Sequence, residues 1–464
     1  MRTLLLALRN LWRNRRRSLA TLLGIAIGSI AILLFGGFKA NIKQTMQTDS
    51  VRRGGHLQIQ HKDYFLYGSG NPTAYSIAEF SAVVEAIKAD PSLKDMLLYT
   101  TPTLQFGGIA GNYPAGVSRT IIGTGVQASD HAGMREWNRY GLKFDWPRFE
   151  LQDAAPNAAI VGLGVARVLQ LCEALKVPDC TTPERVPAAT GASLPDDIAA
   201  LSQIESKPDA TFDAASRKIE LLASNPRGAP NVAALEVARA ENQGFKEFDD
   251  VAVVLQLAQA QRLVYGAASP KVTAIHVQLR DTAMLGAAQQ RIESQLAGWS
   301  GSQPLVVRDF ASLNPFYVQS LQMFDTIFGF IFVLIGGIVM FTVSNTMNTA
   351  VTERTVEIGT LRAMGLRRAG IRSLFVTEGM ILGIIGAILG VVLALLAAAV
   401  VNRLGLEWLP PGSAGRLPLA VAVWGEGVLI AGTSFGLMII TTLSAWWPAY
   451  RAARLNVVEA LRHV

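Results

Sequence analysis

Glu353-Arg354-Thr355-Val356-Glu357-Ile358-Gly359-Thr360-Leu361-Arg362-Ala363-Met364-Gly365 stands between two long apolar runs. Charged side chains do not lie unpaired in hydrocarbon, so the segment lies outside a bilayer, wedged between two membrane helices. A short, charge-patterned helix tied at both ends to membrane spans can pass a push from one side of the membrane to the other.

The composition agrees with a membrane protein that has a large polar part. Half of the residues are hydrophobic and 17% are charged, against about 25% for a usual soluble domain; the mean hydropathy is +0.30. Four runs are long enough to span, at about 20 residues each: Leu19–Phe38, Phe324–Thr349, Phe375–Val401 and Val421–Trp447. Gly24 and Gly28, Gly379 and Gly383, Gly386 and Gly390, and Gly432 and Gly436 each stand four apart, a spacing that lets helices approach closely. The first run is longer than the hydrophobic region of a cleaved leader and ends without Ala-x-Ala chemistry, so it reads as a retained anchor. Before it, Leu4, Leu5, Leu8, Leu11 and Trp12 recur at helical spacing opposite Arg9 and Arg13, the pattern of a helix lying along a membrane surface.

Arginine placement sets the expected orientation. Arg2, Arg9, Arg13, Arg15, Arg16 and Arg17 precede the first span, Arg354, Arg362, Arg367, Arg368 and Arg372 lie between the second and third, and Arg451, Arg454 and Arg462 follow the fourth. Only Arg403 and Arg416 lie between the third and fourth. Both termini and the 350–372 loop are therefore expected in the cytoplasm, with the block between the first two spans on the far side. The expected organisation is a surface helix over 1–18, spans over 19–38, 323–349, 373–402 and 421–447, an extracytoplasmic domain over 39–322, a coupling loop over 350–372, an outer loop over 403–420 and a tail over 448–464. The net charge of +7 reads as membrane topology and not as nucleic-acid affinity.

The extracytoplasmic block reads as mixed α/β. Strand-like runs are His56–Gln60, Ser118–Ile122, Ala159–Val161, Val251–Leu255 and Val272–Leu279; in the last, Ile275, Val277 and Leu279 alternate with His276, Gln278 and Arg280 as in a half-buried strand. Helical runs are Ile77–Ala89, Gly164–Leu175, Val232–Ala240, Leu257–Val264 and Met284–Ala297, and the block is long enough for two lobes. Val177–Ala215, rich in Pro, Asp, Ala, Ser and Thr, reads as a surface insertion. Cys172 and Cys180 are the only cysteines, and outside the cytoplasm a local disulfide is favoured over two free thiols. No catalytic set and no metal-ligand spacing emerges around His56, His61, His131, His276 and His463, and Tyr64, Phe65, Tyr67 and Tyr75 read as packing. No GxxxxGK(S/T) phosphate loop occurs, so no ATPase site and no cofactor is expected in this chain.

One N-terminal span, a large outer domain, and three further spans with a charged loop after the second resembles the MacB/FtsX-type (type VII) ABC transporter permeases. Asn10-Leu11-Trp12-Arg13-Asn14-Arg15-Arg16-Arg17-Ser18 resembles the arginine-rich entry helix of that family. Glu353-Arg354, Glu357-Ile358-Gly359 and Leu361-Arg362-Ala363-x-Gly365 resemble its coupling loop; Pro448-Ala449, Ala452-Ala453 and Glu459-Ala460-Leu461-Arg462 resemble its C-terminal signature. Gly55-His56-Leu57-Gln58-Ile59 hints at the lipoprotein-releasing branch. Val457 replaces the usual proline, and the outer block is longer than is typical.

The resemblance implies a separate cytoplasmic ATPase dimer that binds ATP and Mg and docks on Glu353, Arg354, Glu357, Ile358, Gly359, Leu361, Arg362 and Gly365. Arg354 and Glu357, three apart, are expected to pair on the helix surface, Gly359 to admit the ATPase closely, and Gly365 to end the helix. Residues 40–49 and 312–325 are expected to extend the first two spans as a stalk, so that motion at the loop repositions the outer domain. The spans hold few ionisable groups; Glu378 at the start of the third and Glu426 in the fourth read as structural pairs more readily than as a proton or substrate path. A second permease copy, identical or paralogous, completes such a complex, with a periplasmic adaptor or acceptor as a further partner. Export or extraction of an amphiphile, such as a lipoprotein, lipid, peptide or drug, is the expected function. The alternative is a signalling permease of the cell-division kind, whose outer domain activates a partner enzyme without transport.

Overall fold

The four apolar runs fold as helices longer than a bilayer requires. The computed structural model describes residues 2–142, 148–178, 180, 216–299, 301, 303–409 and 416–456. Helix α1 covers Arg2–Arg13 and α2 covers Arg15–Gly54; α3 (Phe80–Ala89), α4 (Ala128–Arg135), α5 (Leu257–Tyr265) and α6 (Leu285–Ala297) belong to the intervening domain. Then come α7 (Pro315–Glu353), α8 (Thr355–Ala363), α9 (Arg368–Arg403) and α10 (Gly427–Ala453). At about 1.5 Å per residue the 40 residues of α2 reach about 60 Å, twice the thickness of a hydrocarbon core. Helices α2, α7, α9 and α10 are each long and apolar enough to cross a membrane, and the chain is a multi-pass membrane protein. The chain divides into a helical unit (Met1–Thr45, Phe316–Trp408, Leu417–Val464) and a second unit (Met46–Pro315, Leu409–Arg416).

The helical unit closes on Ile25, Ile32, Val339, Val343, Ile371, Phe375, Leu382, Leu437 and Ala445. The glycine pairs set the close approaches. A Cβ on Gly28 would meet Ile335 and Val339 of α7, one on Gly379 or Gly383 would overlap Ala445 or Thr441 of α10, and one on Gly386 or Gly390 would overlap Ile25 or Ser29 of α2. Gly436 meets Phe332, whereas Gly432 faces open space. The fourth span starts later than its hydropathy suggests. Val421 and Val423 are buried but not helical; Asn402 holds both backbone groups of Val421, Ala422 donates to the Gly37 carbonyl at 3.0 Å, and α10 begins only at Gly427. The expected stalk start at Ser312 is also corrected: Phe310–Leu313 is a separate turn, and Pro315, suited to a first helical position, opens α7.

The second unit is built on one nine-stranded mixed sheet. Its strands are β1 (Leu57–His61), β2 (Leu97–Asn112), β3 (Val117–Val126), β4 (Ala158–Gly162), β5 (Lys218–Ser224), β6 (Pro230–Glu241), β7 (Ala252–Gln256), β8 (Ala274–Leu279) and β9 (Leu305–Asp309), in the order β3-β7-β4-β6-β5-β2-β8-β1-β9. The long β2 also pairs with β3, which closes six strands into a ring. Leu97–Thr103 of β2 serves the β8 side and Thr103–Asn112 the ring, so the two expected lobes share a strand and one hydrophobic core instead of a linker. Helices α3, α5 and α6 cover this core, α5 through Leu257, Ala260, Leu263 and Val264 at helical spacing.

Three sequence readings are corrected here. Val232–Ala240 is a strand, not a helix: Leu235 and Val237 alternate with Glu236, and the segment lies between β5 and β4, which supply its hydrogen bonds. Strand β8 is buried on both faces, not one. Its polar residues are satisfied inside: Gln278 donates to the carbonyls of Val51 and Met134 at 3.2 and 2.9 Å. The continuous helix expected over Gly164–Leu175 is two short turns, Leu163–Val168 and Cys172–Leu175, separated at Gln170 with φ +55°. Most of the expected Val177–Ala215 insertion lies outside the described residues. A two-stranded ribbon, β10 (Glu407–Trp408) with β11 (Leu417–Pro418), follows α9.

Candidate functional site

The charged segment is a bend followed by a helix. Arg354, with φ −105° and ψ 19°, separates α7 from α8. Glu357 lies in the first turn of α8 and Arg362 in the last, the arrangement that the helix dipole favours. The helix stops through Gly365 at φ +95°, a conformation that suits glycine. The Gly365 amide reaches the Arg362 carbonyl and the Leu366 amide reaches the Leu361 carbonyl, both at 3.0 Å, which satisfies two terminal acceptors.

Arg354 does not pair with Glu357. The bend turns it inward, where it is 6% exposed. There its Nη1 donates to Glu378 Oε1 of α9 at 3.0 Å and its Nη2 to the Asn10 carbonyl of α1 at 3.2 Å; Asn10 Nδ2 donates to the same Glu378 oxygen at 2.7 Å. A buried cation without such partners is costly, which is why Arg354 takes the deep carboxylate and leaves Glu357 to another residue. That residue is Arg13, whose Nη2 lies 2.8 Å from both Glu357 oxygens. The two terminal nitrogens of Arg17 grip both oxygens of Glu353. One turn on, Thr21 Oγ1 meets Thr346 Oγ1 at 2.9 Å.

Arg362 is also engaged within the chain. Its Nη1 donates to the Leu455 carbonyl at 2.6 Å and approaches the Ala453 carbonyl at 3.4 Å, so it caps the C-terminal end of α10. Ile358 and Gly359 are buried; Ile358 packs in the core that holds Phe375, Ala449, Ala452 and Ala453, with Leu361 partly buried against it. The expected contact of Gly359 with an outside protein is therefore corrected: its side of the helix faces this chain. Glu459–Arg462 of the C-terminal motif lies outside the described residues. Glu426 accepts from Gln44 Nε2 at 2.9 Å.

The outward side of α8 consists of residues that the sequence reading passed over. Val356 and Met364 are 46% and 71% exposed, Thr360 lies between them at the same spacing of four, and exposed Leu366 follows the glycine stop. The signal was the period of four at 356, 360 and 364; the brighter charges hid it.

In the second unit the structure joins Cys172 and Cys180 in a disulfide, with Cα atoms 5.5 Å apart. Burial holds His56 and His276 down at about 4, and burial with the Arg135 charge holds His131 well below the ordinary value, so all three are neutral at pH 7. His56 Nδ1 accepts from the Leu279 amide at 3.0 Å, a core role. Tyr64 donates to Gln105 at 2.6 Å, and Phe65 lies beneath the Arg308 guanidinium. Among the described residues no group of three or more His, Cys, Asp or Glu side chains could hold a metal ion.

Residues 326–457, which contain α8, match the FtsX-like permease C-terminal family. An uncharacterized ABC transporter permease of Methanocaldococcus jannaschii is 35% identical over 120 residues, 26% of this chain and 28% of that protein. The macrolide export ATP-binding/permease protein MacB of Escherichia coli K12 is 35% identical over 143 residues, 31% of this chain and 20% of that protein. The chain thus spans well under a third of the length of these relatives. Among solved structures, the periplasmic region of MacB from Actinobacillus actinomycetemcomitans aligns with a TM-score of 0.31 at 9% identity, covering 57% of this chain and 94% of that one. The extracellular domain of the transporter YknZ from Gram-positive bacteria aligns with a TM-score of 0.28 at 10% identity, covering 55% and 99%.

Proposed function

We infer that this chain, an ABC transporter permease of the MacB/FtsX type, takes force from a separate cytoplasmic ATPase dimer at α8 and uses it to move its extracytoplasmic domain. The ATPase binds ATP and Mg; the work done is export or extraction of an amphiphile, such as a lipoprotein, lipid, peptide or drug. A second permease copy, identical or paralogous, faces the other ATPase subunit. The arginines before the first span, in the 350–372 loop and after the fourth span support a cytoplasmic placement of α8 and both termini in a bacterial inner membrane.

One observation carries this reading. On its inner side α8 is fastened to α1, α9 and α10 by Glu357, the adjoining Arg354, and Arg362, while its outer side leaves Val356, Thr360 and Met364 exposed among the described residues. A short helix fixed on one side and bare on the other suits a docking element: what it receives passes directly to the spans. Val356 and Met364, with Thr360 between them, fit a groove on a protein partner.

The test is Val356→Asp with Met364→Asp in the full chain, co-expressed with its ATPase. A carboxylate forced into an apolar contact is expected to abolish co-purification of the ATPase while membrane insertion and the Cys172–Cys180 bond persist. Undiminished co-purification and ATP turnover by the complex would overturn the reading.

A further inference from the structure

We propose that Arg13 and Arg17 are positioning residues for coupling: they hold Glu357 and Glu353 from within the chain, so that the N-terminal helix α1 moves with α8 as one lever. The proposal rests on the reading that α8 receives the ATPase, and it changes what the acidic residues of that segment do. They face the entry helix, not the ATPase.

The contacts form a seam. Asn10, Arg13, Arg17 and Thr21 follow one another at spacings of three or four and so share one side of α1 and α2. Opposite them in order stand Glu378 with Arg354, then Glu357, Glu353 and Thr346. Each side of the seam contains a break, at Asn14 between α1 and α2 and at Arg354 between α7 and α8. The two acid–arginine pairs straddle both breaks. Arg13 and Glu357 lie on one side of them, Arg17 and Glu353 on the other, and the buried Arg354–Glu378–Asn10 group crosses between.

Two facing breaks would let α1 and α8 swing separately. Bridged in this way they turn together. Both carboxylates already have an arginine on both of their oxygens, Glu357 through one nitrogen of Arg13 and Glu353 through two of Arg17, so an ATPase that used them directly would first have to pull them off. The Arg13–Glu357 pair is about half exposed on both sides and adds little to stability; its role is to set direction, which a charge exchange can reveal.

The experiment uses the full chain with its ATPase in phosphatidylethanolamine–phosphatidylglycerol vesicles, with co-purification and ATP turnover as readouts. R13E/R17E is expected to retain the ATPase but lower turnover of the complex about fivefold or more. The exchange R13E/R17E/E353R/E357R is expected to restore turnover to within about twofold, a rescue that a merely structural contribution from either side would not produce. Unchanged turnover in R13E/R17E overturns the proposal. So does an exchange variant that stays uncoupled, because the carboxylates would then be needed by the ATPase itself. Failure of the underlying docking reading appears separately, as full co-purification with Val356→Asp and Met364→Asp together. If the reversed proteins do not accumulate, the cycle of R13Q, E357Q and R13Q/E357Q decides: additive effects overturn the proposal, and coupling beyond about threefold upholds it.

Discussion

Arg354 and Glu378, 24 residues apart in the chain, meet at 3.0 Å inside the helical unit with 7% and 2% of their side-chain surfaces exposed. Charges placed this deep are tolerated only as a pair, and removing one strands the other. Arg354→Ala or Glu378→Ala is expected to destabilise the chain by about 3–5 kcal/mol, whereas the double change Arg354→Met with Glu378→Leu costs much less. Thermal unfolding of the purified chain in detergent checks this; equal losses in single and double variants would count against it.

Arg362 should matter for a different reason. Arg362→Glu places a carboxylate beside the last carbonyls of α10, where a cation is favoured, at a cost of about 1 kcal/mol. The expected outcome is normal expression and insertion with ATP turnover uncoupled, since the end of α10 no longer follows α8. Transport or turnover at the unmodified rate would rule this out.

The Cys172–Cys180 bond closes a short loop, with a sequence separation of 8. Chain-entropy reasoning for so short a loop predicts a loss of about 2–3 kcal/mol in the Cys172→Ser with Cys180→Ser variant. Intact mass before and after reduction and alkylation should differ by two blocked thiols; alkylation of both without reductant would contradict the bond.

Acid should weaken the second unit before it affects the carboxylates there. His56 and His276, held near 4 by burial, are neutral when folded but take up protons near pH 6.5 when unfolded. The unfolded state then binds more protons, so their stabilisation is complete above about pH 6.5 and declines as pH falls towards 4, by up to about 3 kcal/mol each. Asp90, drawn down to about 2 chiefly by Ser92 and Arg291, follows the same sign in a lower window, and its contribution fades only between about pH 4 and 2. Thermal midpoints of the full chain between pH 7 and 4.5 should therefore fall, and less so in His276→Asn. A flat profile would contradict this.

The sequence disclosed the four long helices, because runs of twenty apolar residues have few other solutions, and it located the charged bend between two of them. It did not disclose who holds whom. Arg354 looked close to Glu357, yet its partners are Glu378 on α9 and Asn10 on α1. Such pairings follow from the bend at Arg354, which no local pattern announces. Val232–Ala240 misled because alanine and glutamate favour helices in isolation, while the β5 and β4 edges on either side make a strand the better answer. Strand β2 went unseen because Pro102 and Gly107-Gly108 interrupt its alternation. Bulges and neighbours, not propensity, carry it.

Strand β2 has a mechanical meaning as well. A joint between two bodies is ordinarily a swivel, a few residues that twist without resistance. Here the join is a beam: one strand of 16 residues, bonded along one part to β8 and along the rest to β3 and β5. To rotate one half against the other would shear many backbone hydrogen bonds at once. The sheet therefore has little freedom to fold in the middle. A displacement at one end of β2 would reach the other with little lost to bending.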